Sequence, residues 1–256
     1  MTDAIVLAGG GVEPGLEPGL PNKGFLLLAG RPLVAHVVST LTQTPSINRV
    51  AVVGPAQELR PVVSPPALVV EAVGGIMDNI VRGVEALQAR DLVLVAASDI
   101  PLLTPAVVEE FLDACTAIQA DFYYPIVPQD VMLTQFPAAR KTFVTVAEGT
   151  FTGGSMMLFN PQVLERVRPF VERLVAARKK PWLLAQTFGW SIVVKFMSGR
   201  LTIPEVVARA AEVTGLAVTP VIVPRPELAL DVDVGKPENV DEIRRAMEPP
   251  RRGDGS

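Results

Sequence analysis

The 256-residue chain is long enough for one large α/β domain or two small ones. Hydrophobic residues make up 49% of the chain and the net charge is −4, which excludes the basic field typical of nucleic-acid-binding proteins. The single cysteine, Cys115, excludes an internal disulfide framework and is expected to be an inert residue of a helix face. No apolar stretch reaches the ~18 residues needed for a transmembrane segment. We therefore expect a cytoplasmic protein, and the sequence leaves homo-oligomer formation open.

Short apolar runs alternate with amphipathic segments in the first half of the chain. The apolar runs predict strands at 3–8, 49–54, 67–71 and 92–97, and the amphipathic segments predict helices at 32–43, 77–89 and 105–119. Thr104 and Pro105 suit the N-cap and the first position of the third helix. Strands that are apolar throughout are typical of a parallel sheet covered on both faces. The order therefore predicts a Rossmann-like α/β fold.

The second half of the chain has a different pattern. The stretch from "YYPIVP" to "FTGGSMMLFNP" predicts a hairpin or a mixed-sheet insertion with its turn at Glu148-Gly149. Residues 161–216 are expected to be largely helical, and the apolar run 228–230 is interpreted as a further strand. We expect a single domain over 1–247, with a nucleotide-binding half at 1–120, an acceptor-side helical insertion at 121–220, and a flexible tail at 248–256.

Glycine or acidic residues follow four of the apolar runs. These residues are Gly9-Gly10-Gly11, Gly74-Gly75, Ser98-Asp99 and Asp231-Val232-Asp233. In open α/β sheets, ligands bind beyond the carboxyl ends of the strands. The sequence therefore predicts that these four strand ends converge on one ligand site.

The glycine loop after the first strand fits neither common nucleotide motif. A P-loop needs Gly-Lys followed by Ser or Thr, but Lys23 stands between Asn22 and Gly24. A dinucleotide motif fails because no third glycine opens a helix at the required spacing. From these residues alone, the loop is either a phosphate cradle or a tight turn, and Lys23 is either a solvated lysine or a functional one.

Asp99 follows a buried strand, where its carboxylate suits a hard cation such as Mg²⁺. The alternative, a cap for the next helix, is weaker because Thr104 already fills that position. Asp231 and Asp233 would face one side of a strand and repel each other unless a cation lies beside them. Alternatively, Asp233 caps the helix that follows.

Taken together, these pieces resemble the MobA-like nucleotidyltransferases, which have a GT-A-type Rossmann-like fold. The matching segments are "IVLAGG", a lysine before "LLLAGRPLVAHVV", "AASDIPLLTPAVVEEFL" and "LDVDVGKPENVDEI", in the order of the family. The segment 121–220 is unlike well-studied members and looks closer to uncharacterised bacterial ones. The resemblance implies a mostly parallel mixed sheet with helices on both faces.

The resemblance also implies roles for particular residues. The backbone amides of four residues would hold a nucleoside triphosphate: Leu7, Ala8, Gly9 and Gly10. Lys23 would neutralise charge on the α-phosphate, and Gly75 with Asn79 lies in the region that contacts the base. Asp99 and Asp233 would bind Mg²⁺, and Thr152-Gly153-Gly154 would contact the acceptor.

The implied reaction is a Mg²⁺-dependent transfer of a nucleotidyl group from an NTP to a phosphorylated small molecule or cofactor precursor, with release of pyrophosphate. One departure concerns the interval "GVEPGLEPGLP", which lacks the serine and the Arg-Met-Gly stretch of many guanylyltransferases. Two alternatives stay open. One is a nucleotide-binding regulatory module that has lost catalysis, and the other is a GT-A glycosyltransferase.

Overall fold

A computed structural model describes residues 1–169 and 189–248 of the chain. These residues form a nine-stranded mixed sheet with helices on both faces, together with a two-stranded ribbon. Among the described residues, no helix is both long enough and apolar enough to cross a membrane.

The first half of the chain alternates strands and helices. Its strands are β1 (Thr2–Leu7), β2 (Leu27–Leu28), β3 (Arg31–Pro32), β4 (Ile47–Gly54), β5 (Leu68–Glu71) and β6 (Val93–Ala97). Its helices are α1 (Leu33–Gln43), α2 (Ala56–Leu59), α3 (Ile76–Leu87) and α4 (Pro105–Thr116), with a 3-10 turn at Lys23–Phe25. As expected, Thr104 caps α4, since its hydroxyl accepts a hydrogen bond from the amide of Val107 at 3.4 Å.

Within the described residues, the second half adds five strands and four regular helices. The strands are β7 (Phe122–Pro128), β8 (Val144–Val146), β9 (Gly149–Gly153), β10 (Met156–Phe159) and β11 (Val218–Ile222). The helices are α5 (Gln129–Gln135), α6 (Trp190–Met197), α7 (Ile203–Thr214) and α8 (Pro237–Met247), with 3-10 turns at Pro161–Val163 and Pro226–Leu228. Residues 164–169 are also helical.

The sheet has the strand order β5-β4-β1-β6-β10-β7-β9-β8, with β11 paired to β7. The strands β5, β4, β1 and β6 run parallel, whereas β10 is antiparallel to both β6 and β7. Because β1 lies between β4 and β6, the loops after β1 and β6 leave the sheet side by side. This arrangement brings the glycine loop and Asp99 to one edge of the sheet.

Alternate residues of β1 enter two separate hydrophobic cores. Ala4 and Val6 pack with α1 and α4 on one face, where the core includes Phe111. Ile5 packs on the other face against α3, where Gly83 leaves room for its side chain. A strand that is buried on both faces has no solvated side, which explains why its sequence is apolar throughout.

The predicted elements of the first half are confirmed within about three residues, and three expectations for the second half need correction. The run 228–230 is no strand, because Leu228 ends a 3-10 turn. The hairpin between β8 and β9 turns at Ala147-Glu148, one residue earlier than expected, because Val146 pairs with Gly149. The strand β11 was not predicted. Residues 170–188 of the helical insertion and 249–256 of the predicted tail lie outside the described residues.

Candidate active site

The candidate site lies at the edge of the sheet where β1 and β6 end. Asp99 follows β6 by two residues, and its carbonyl accepts a hydrogen bond from the amide of Val232 at 2.8 Å. This bond fixes the acidic segment beside the end of β6, although that segment is not a regular strand. Val232 is buried, and Asp231 and Asp233 flank it. The structure therefore brings together Asp99, Asp231 and Asp233 as the sequence predicts.

Asn22 positions Lys23 at this edge. The buried amide of Asn22 donates to the carbonyl of Ala8 at 2.8 Å, and its oxygen accepts from the amide of Gly24 at 2.9 Å. A Cβ on Gly24 would lie 2.8 Å from the hydroxyl oxygen of Ser98, so only glycine lets the loop approach β6 this closely. The sequence reasoning missed Asn22, although its place directly before Lys23 was visible.

Lys23 and Asp99 form the central ion pair of the site. The Lys23 ammonium lies 2.7 Å from Asp99 Oδ2, and Asp99 is 5% exposed. Burial alone would lower the pKa of Lys23, but the Asp99 carboxylate outweighs burial and, with Glu13 and Asp231, raises that pKa. Burial raises the pKa of Asp99, against the opposing charge of Lys23. Lys23 is therefore charged at neutral pH.

The second oxygen of Asp99 is the feature that points to a ligand. Asp99 Oδ1 is buried and has no hydrogen-bond partner among residues 1–169 and 189–248. A buried carboxylate oxygen without a partner is costly, and a cation or a donor group would satisfy it. Among the described residues no three His, Cys, Asp or Glu side chains form a ready metal cluster. The Asp99 oxygen nevertheless fits a hard cation that takes its other ligands from phosphate oxygens and water.

Asp231 and Asp233 each hold a lysine. The Lys141 ammonium donates to Asp231 Oδ1 at 2.5 Å, and the Lys236 ammonium lies 2.9 Å from Asp233 Oδ2. Asp233 Oδ1 accepts from the amide of Gly235, so Asp233 orders the turn before α8, whose N-cap is Lys236. The hydrogen bond from Lys236 lowers the pKa of Asp233.

The glycine loop presents backbone amides near the predicted base region. The amide of Ala8 donates to the carbonyl of Val53 at 2.8 Å and is already used within the fold. Within the described part of the chain, the amides of Gly9 and Gly10 donate no hydrogen bond. These two amides are therefore the ones able to meet a ligand, and Leu7 lies within β1.

Asn79 connects α3 to this loop. A Cβ on Gly9 would lie 3.2 Å from the Asn79 amide nitrogen, and Asn79 Oδ1 accepts from the amide of Val73 at 2.8 Å. Gly75, at the N-cap of α3, donates to Asp78 Oδ2 at 2.8 Å. The structure thus brings Asn79 next to Gly9, as the prediction of a shared nucleotide region requires.

One of the predicted acceptor residues, Gly153, packs against Tyr124, which the sequence reasoning missed. A Cβ on Gly153 would lie 2.3 Å from the Tyr124 hydroxyl, so the tyrosine ring can lie there only because residue 153 is glycine. Thr152 is buried, and Gly154 donates to the carbonyl of Pro125 at 2.9 Å. Burial raises the pKa of Tyr124, and Asp231 adds to the effect. The Tyr124 ring therefore lies directly against the predicted acceptor segment.

The interval between the glycines and Lys23 consists of two equal turns. In each Glu-Pro-Gly-Leu unit the leucine amide bonds to the glutamate carbonyl, at 3.1 Å for Leu16 and 3.3 Å for Leu20. Gly15 and Gly19 have φ values of 88° and 92°, which glycine adopts without strain at the third position of such a turn. The first turn brings the Glu13 carboxylate to 3.6 Å from the Lys23 ammonium.

Comparisons with known proteins identify the family of the chain. The MobA-like NTP transferase domain matches residues 4–166. A hypothetical transferase from Thermus thermophilus is 36% identical, with a TM-score of 0.81 over 91% of this chain and 96% of that one. No curated protein matches the chain.

Two more distant structures share the fold. One is a 4-diphosphocytidyl-2C-methyl-D-erythritol synthase from Anaerococcus prevotii, at 9% identity and a TM-score of 0.58, covering 96% of both chains. The other is a CMP:2-keto-3-deoxy-manno-octonic acid synthetase complexed with CTP, at 14% identity and a TM-score of 0.58, covering 96% of this chain and 98% of that one. The chain belongs to the MobA-like NTP transferase family and is a nucleotidyltransferase.

Proposed function

We propose that the protein transfers a nucleotidyl group from an NTP to a phosphorylated small molecule or cofactor precursor in a Mg²⁺-dependent reaction. The observation that carries this proposal is the pair of Lys23 and Asp99 with its buried, unpartnered oxygen Oδ1. Gly9 and Gly10 follow β1, which pairs with β6 directly before Asp99. At this edge a triphosphate would meet a lysine, a carboxylate for its metal and two N–H donors.

In this reaction an oxygen of the acceptor phosphate attacks the α-phosphorus, an O–P bond forms, and the bond to pyrophosphate breaks. No base is needed, because the acceptor phosphate is already an anion. The protein must align two anions and neutralise their charge. Lys23 does so at the α-phosphate, and Asn22 holds Lys23 in place for that role. Gly9 and Gly10 supply the amides that hold the phosphates.

Asp99 and Asp233 are the residues that would hold the metal. A bound Mg²⁺ supplies charge stabilisation and a template for the phosphates. Asp99 offers the unpartnered oxygen Oδ1, while Asp233 would exchange its contact with Lys236. Gly75 and Asn79 are proposed to contact the base, and Leu7, the last residue of β1, and Ala8 after it are proposed to contact the nucleotide. The acceptor is assigned to Thr152, Gly153 and Gly154.

Pyrophosphate release tests the proposal. Each NTP is incubated with Mg²⁺ and a panel of phosphorylated acceptors, and wild type is compared with Asp99→Asn. We expect the variant to lose about a hundredfold or more of its turnover, since a group that stabilises transition-state charge is worth that much.

Asp3→Asn is the matched control. Asp3 is also a buried aspartate in an ion pair, with Arg49 at 2.5 Å, but it lies in β1 away from the glycine loop. Asp3→Asn should lower stability and leave turnover per folded molecule unchanged. Equal turnover in wild type and Asp99→Asn would contradict the metal assignment, and tight NTP binding without turnover on any acceptor would favour a regulatory module.

A further inference from the structure

A second partly buried lysine lies at the site and has no role in the reaction described above. Lys141 donates to Asp231 at 2.5 Å, and the side chains are 12% and 20% exposed. Lysine is rarely this buried unless it is paired. Asp231 directly precedes Val232, whose amide donates to the carbonyl of Asp99 at 2.8 Å, so Lys141 lies at the same edge of the sheet as Lys23 and Asp99.

Helix α8 fixes the loop that carries Lys141. Asn239 Oδ1 accepts from the amide of Arg140 at 2.7 Å, and Glu242 Oε1 accepts from the amide of Ala138 at 2.9 Å. Asn239 is fully buried and Glu242 nearly so. Buried polar groups lose stability when a partner is removed, so these bonds hold the loop firmly. The position of Lys141 is therefore fixed by the hydrogen bonds of its loop to α8.

The Lys141 ammonium keeps donor capacity for a ligand. A lysine ammonium has three N–H donors, and in the described part of the chain only Asp231 accepts one from Lys141. In the absence of substrate, the Asp231 carboxylate neutralises the charge of Lys141. The two remaining N–H groups can bind an oxyanion without separating Lys141 from Asp231.

The surroundings of Lys141 indicate the acceptor and not the nucleotide. Lys141 lies between α5 and β8, in the half of the sheet that holds β7 and β9. The strand β8 begins three residues after Lys141 and pairs with β9, where Val144 lies opposite Phe151, the neighbour of Thr152. The triphosphate already has Lys23, which lies on the loop that follows β1.

We propose that Lys141 binds an oxyanion of the acceptor, a phosphate or a carboxylate, and so determines that the enzyme takes anionic acceptors. This proposal rests on the proposed nucleotidyl transfer. It adds a specificity-determining residue on the acceptor side, separate from Lys23 on the nucleotide side.

The test measures anion binding to the loaded protein. The full chain is saturated with Mg²⁺ and an α,β-methylene NTP analogue, and inorganic phosphate or acetate is titrated by calorimetry. We expect phosphate or acetate to bind the wild type and to bind Lys141→Met about tenfold or more weakly, with NTP-analogue affinity unchanged. Lys141→Arg should restore binding, and whichever anion binds identifies the oxyanion.

Two further variants keep the result interpretable. Lys195→Met is the matched control, because Lys195 is also paired with a carboxylate, that of Glu205, on the helical region. Lys195→Met should bind the anion as wild type does. The double variant Lys141→Met/Asp231→Asn removes both charges, so it avoids leaving Asp231 unpaired and should show the same loss of anion binding.

The outcomes separate the two proposals. Loss of NTP-analogue affinity in Lys141→Met to the same degree as anion affinity would overturn the acceptor assignment and make Lys141 a triphosphate ligand. Anion binding that is unchanged in Lys141→Met, or absent in loaded wild type, would also overturn it. Failure of wild type to bind any NTP would instead overturn the proposed function.

Discussion

Lys23 and Lys141 both pair with an aspartate at the site, but they reach it by different routes. Asn22 anchors the Lys23 loop to Ala8, 14 residues earlier in the chain. The Lys141 loop is held by Glu242, 104 residues after Ala138, and its partner Asp231 lies 90 residues away. The anchor of the Lys23 loop is therefore local, although its ion-pair partner Asp99 follows another strand, β6. The Lys141 loop, by contrast, takes its anchors and its ion-pair partner from distant parts of the chain.

Of the changes that test this difference between the two lysines, removing Lys23 should reduce activity most. We expect Lys23→Met to lower pyrophosphate release by roughly a hundredfold to a thousandfold, because no other lysine in the described residues pairs with Asp99. Lys23→Arg should recover part of the rate. Steady-state kinetics with saturating NTP measures both, and a loss confined to the KM for the acceptor would contradict the assignment to the α-phosphate.

Asn22→Ala tests the local anchor. This change leaves the carbonyl of Ala8 and the amide of Gly24 without partners in a buried place, so we expect the free energy of unfolding to fall by about 1–3 kcal/mol. The KM for NTP should rise in the same variant, because Asn22 no longer positions Lys23. Urea denaturation measures stability. Asn160→Ala is the control, because Asn160 also caps a 3-10 turn but is away from the site. An equal KM change in Asn160→Ala would contradict the anchoring role.

Asn239→Ala tests the long-range anchor. Removal of the buried Asn239 amide frees the amide of Arg140, and we expect a loss of about 1–3 kcal/mol in the free energy of unfolding. The kinetic signature should differ from that of Asn22→Ala, since the KM for the acceptor rises and the KM for NTP does not. Identical signatures in the two variants would show that the two anchors serve one substrate.

Gly153→Ala tests the contact with Tyr124. The added Cβ would lie 2.3 Å from the Tyr124 hydroxyl, so the ring must move, and overpacking of this kind costs about 1–3 kcal/mol of stability. Gly11→Ala is the control, since nothing lies within 4 Å of its Cβ position. Thermal denaturation should show that Tyr124→Ala reduces the penalty of Gly153→Ala. Additive losses would show that the two residues do not interact.

Cys115 should show the smallest effect. Burial raises the pKa of its thiol to about 12, so at pH 8 roughly one molecule in ten thousand carries a thiolate. We expect the folded protein to react very slowly with a thiol reagent and the urea-unfolded protein to react at once. Rapid labelling of the folded protein at pH 8 would contradict the burial of Cys115 in α4.

The sequence predicted well where the signal is local. The apolar run of β1, the glycines after it and Asp99 after β6 each identify their own position at a strand end. Lys141 carries no such signal, because its partner and its anchors are 90 or more residues distant. A lysine in a loop looks solvated until the fold brings a carboxylate to it. The acidic segment at 231–233 was placed correctly although it is not a strand.

The missed strand β11 has a specific physical reason. Its sequence "VTPVI" contains Pro220, and proline is confined to edge strands because it cannot donate to a ladder. β11 pairs with β7 and with no other described strand, which is the edge position that tolerates proline. Its residues are mostly half-buried, so no continuous apolar run identifies it.

The two Glu-Pro-Gly-Leu turns bear on the conformational entropy of the loop before Lys23. Proline fixes φ at the second position and glycine adopts the positive φ at the third, so each turn is already close to its final shape before the chain folds. Ordering such a loop therefore costs less entropy than ordering a flexible one of equal length. The loop holds the Glu13 carboxylate near the Lys23 ammonium. A triphosphate that approaches Lys23 therefore meets the negative charge of Glu13 in a fixed position.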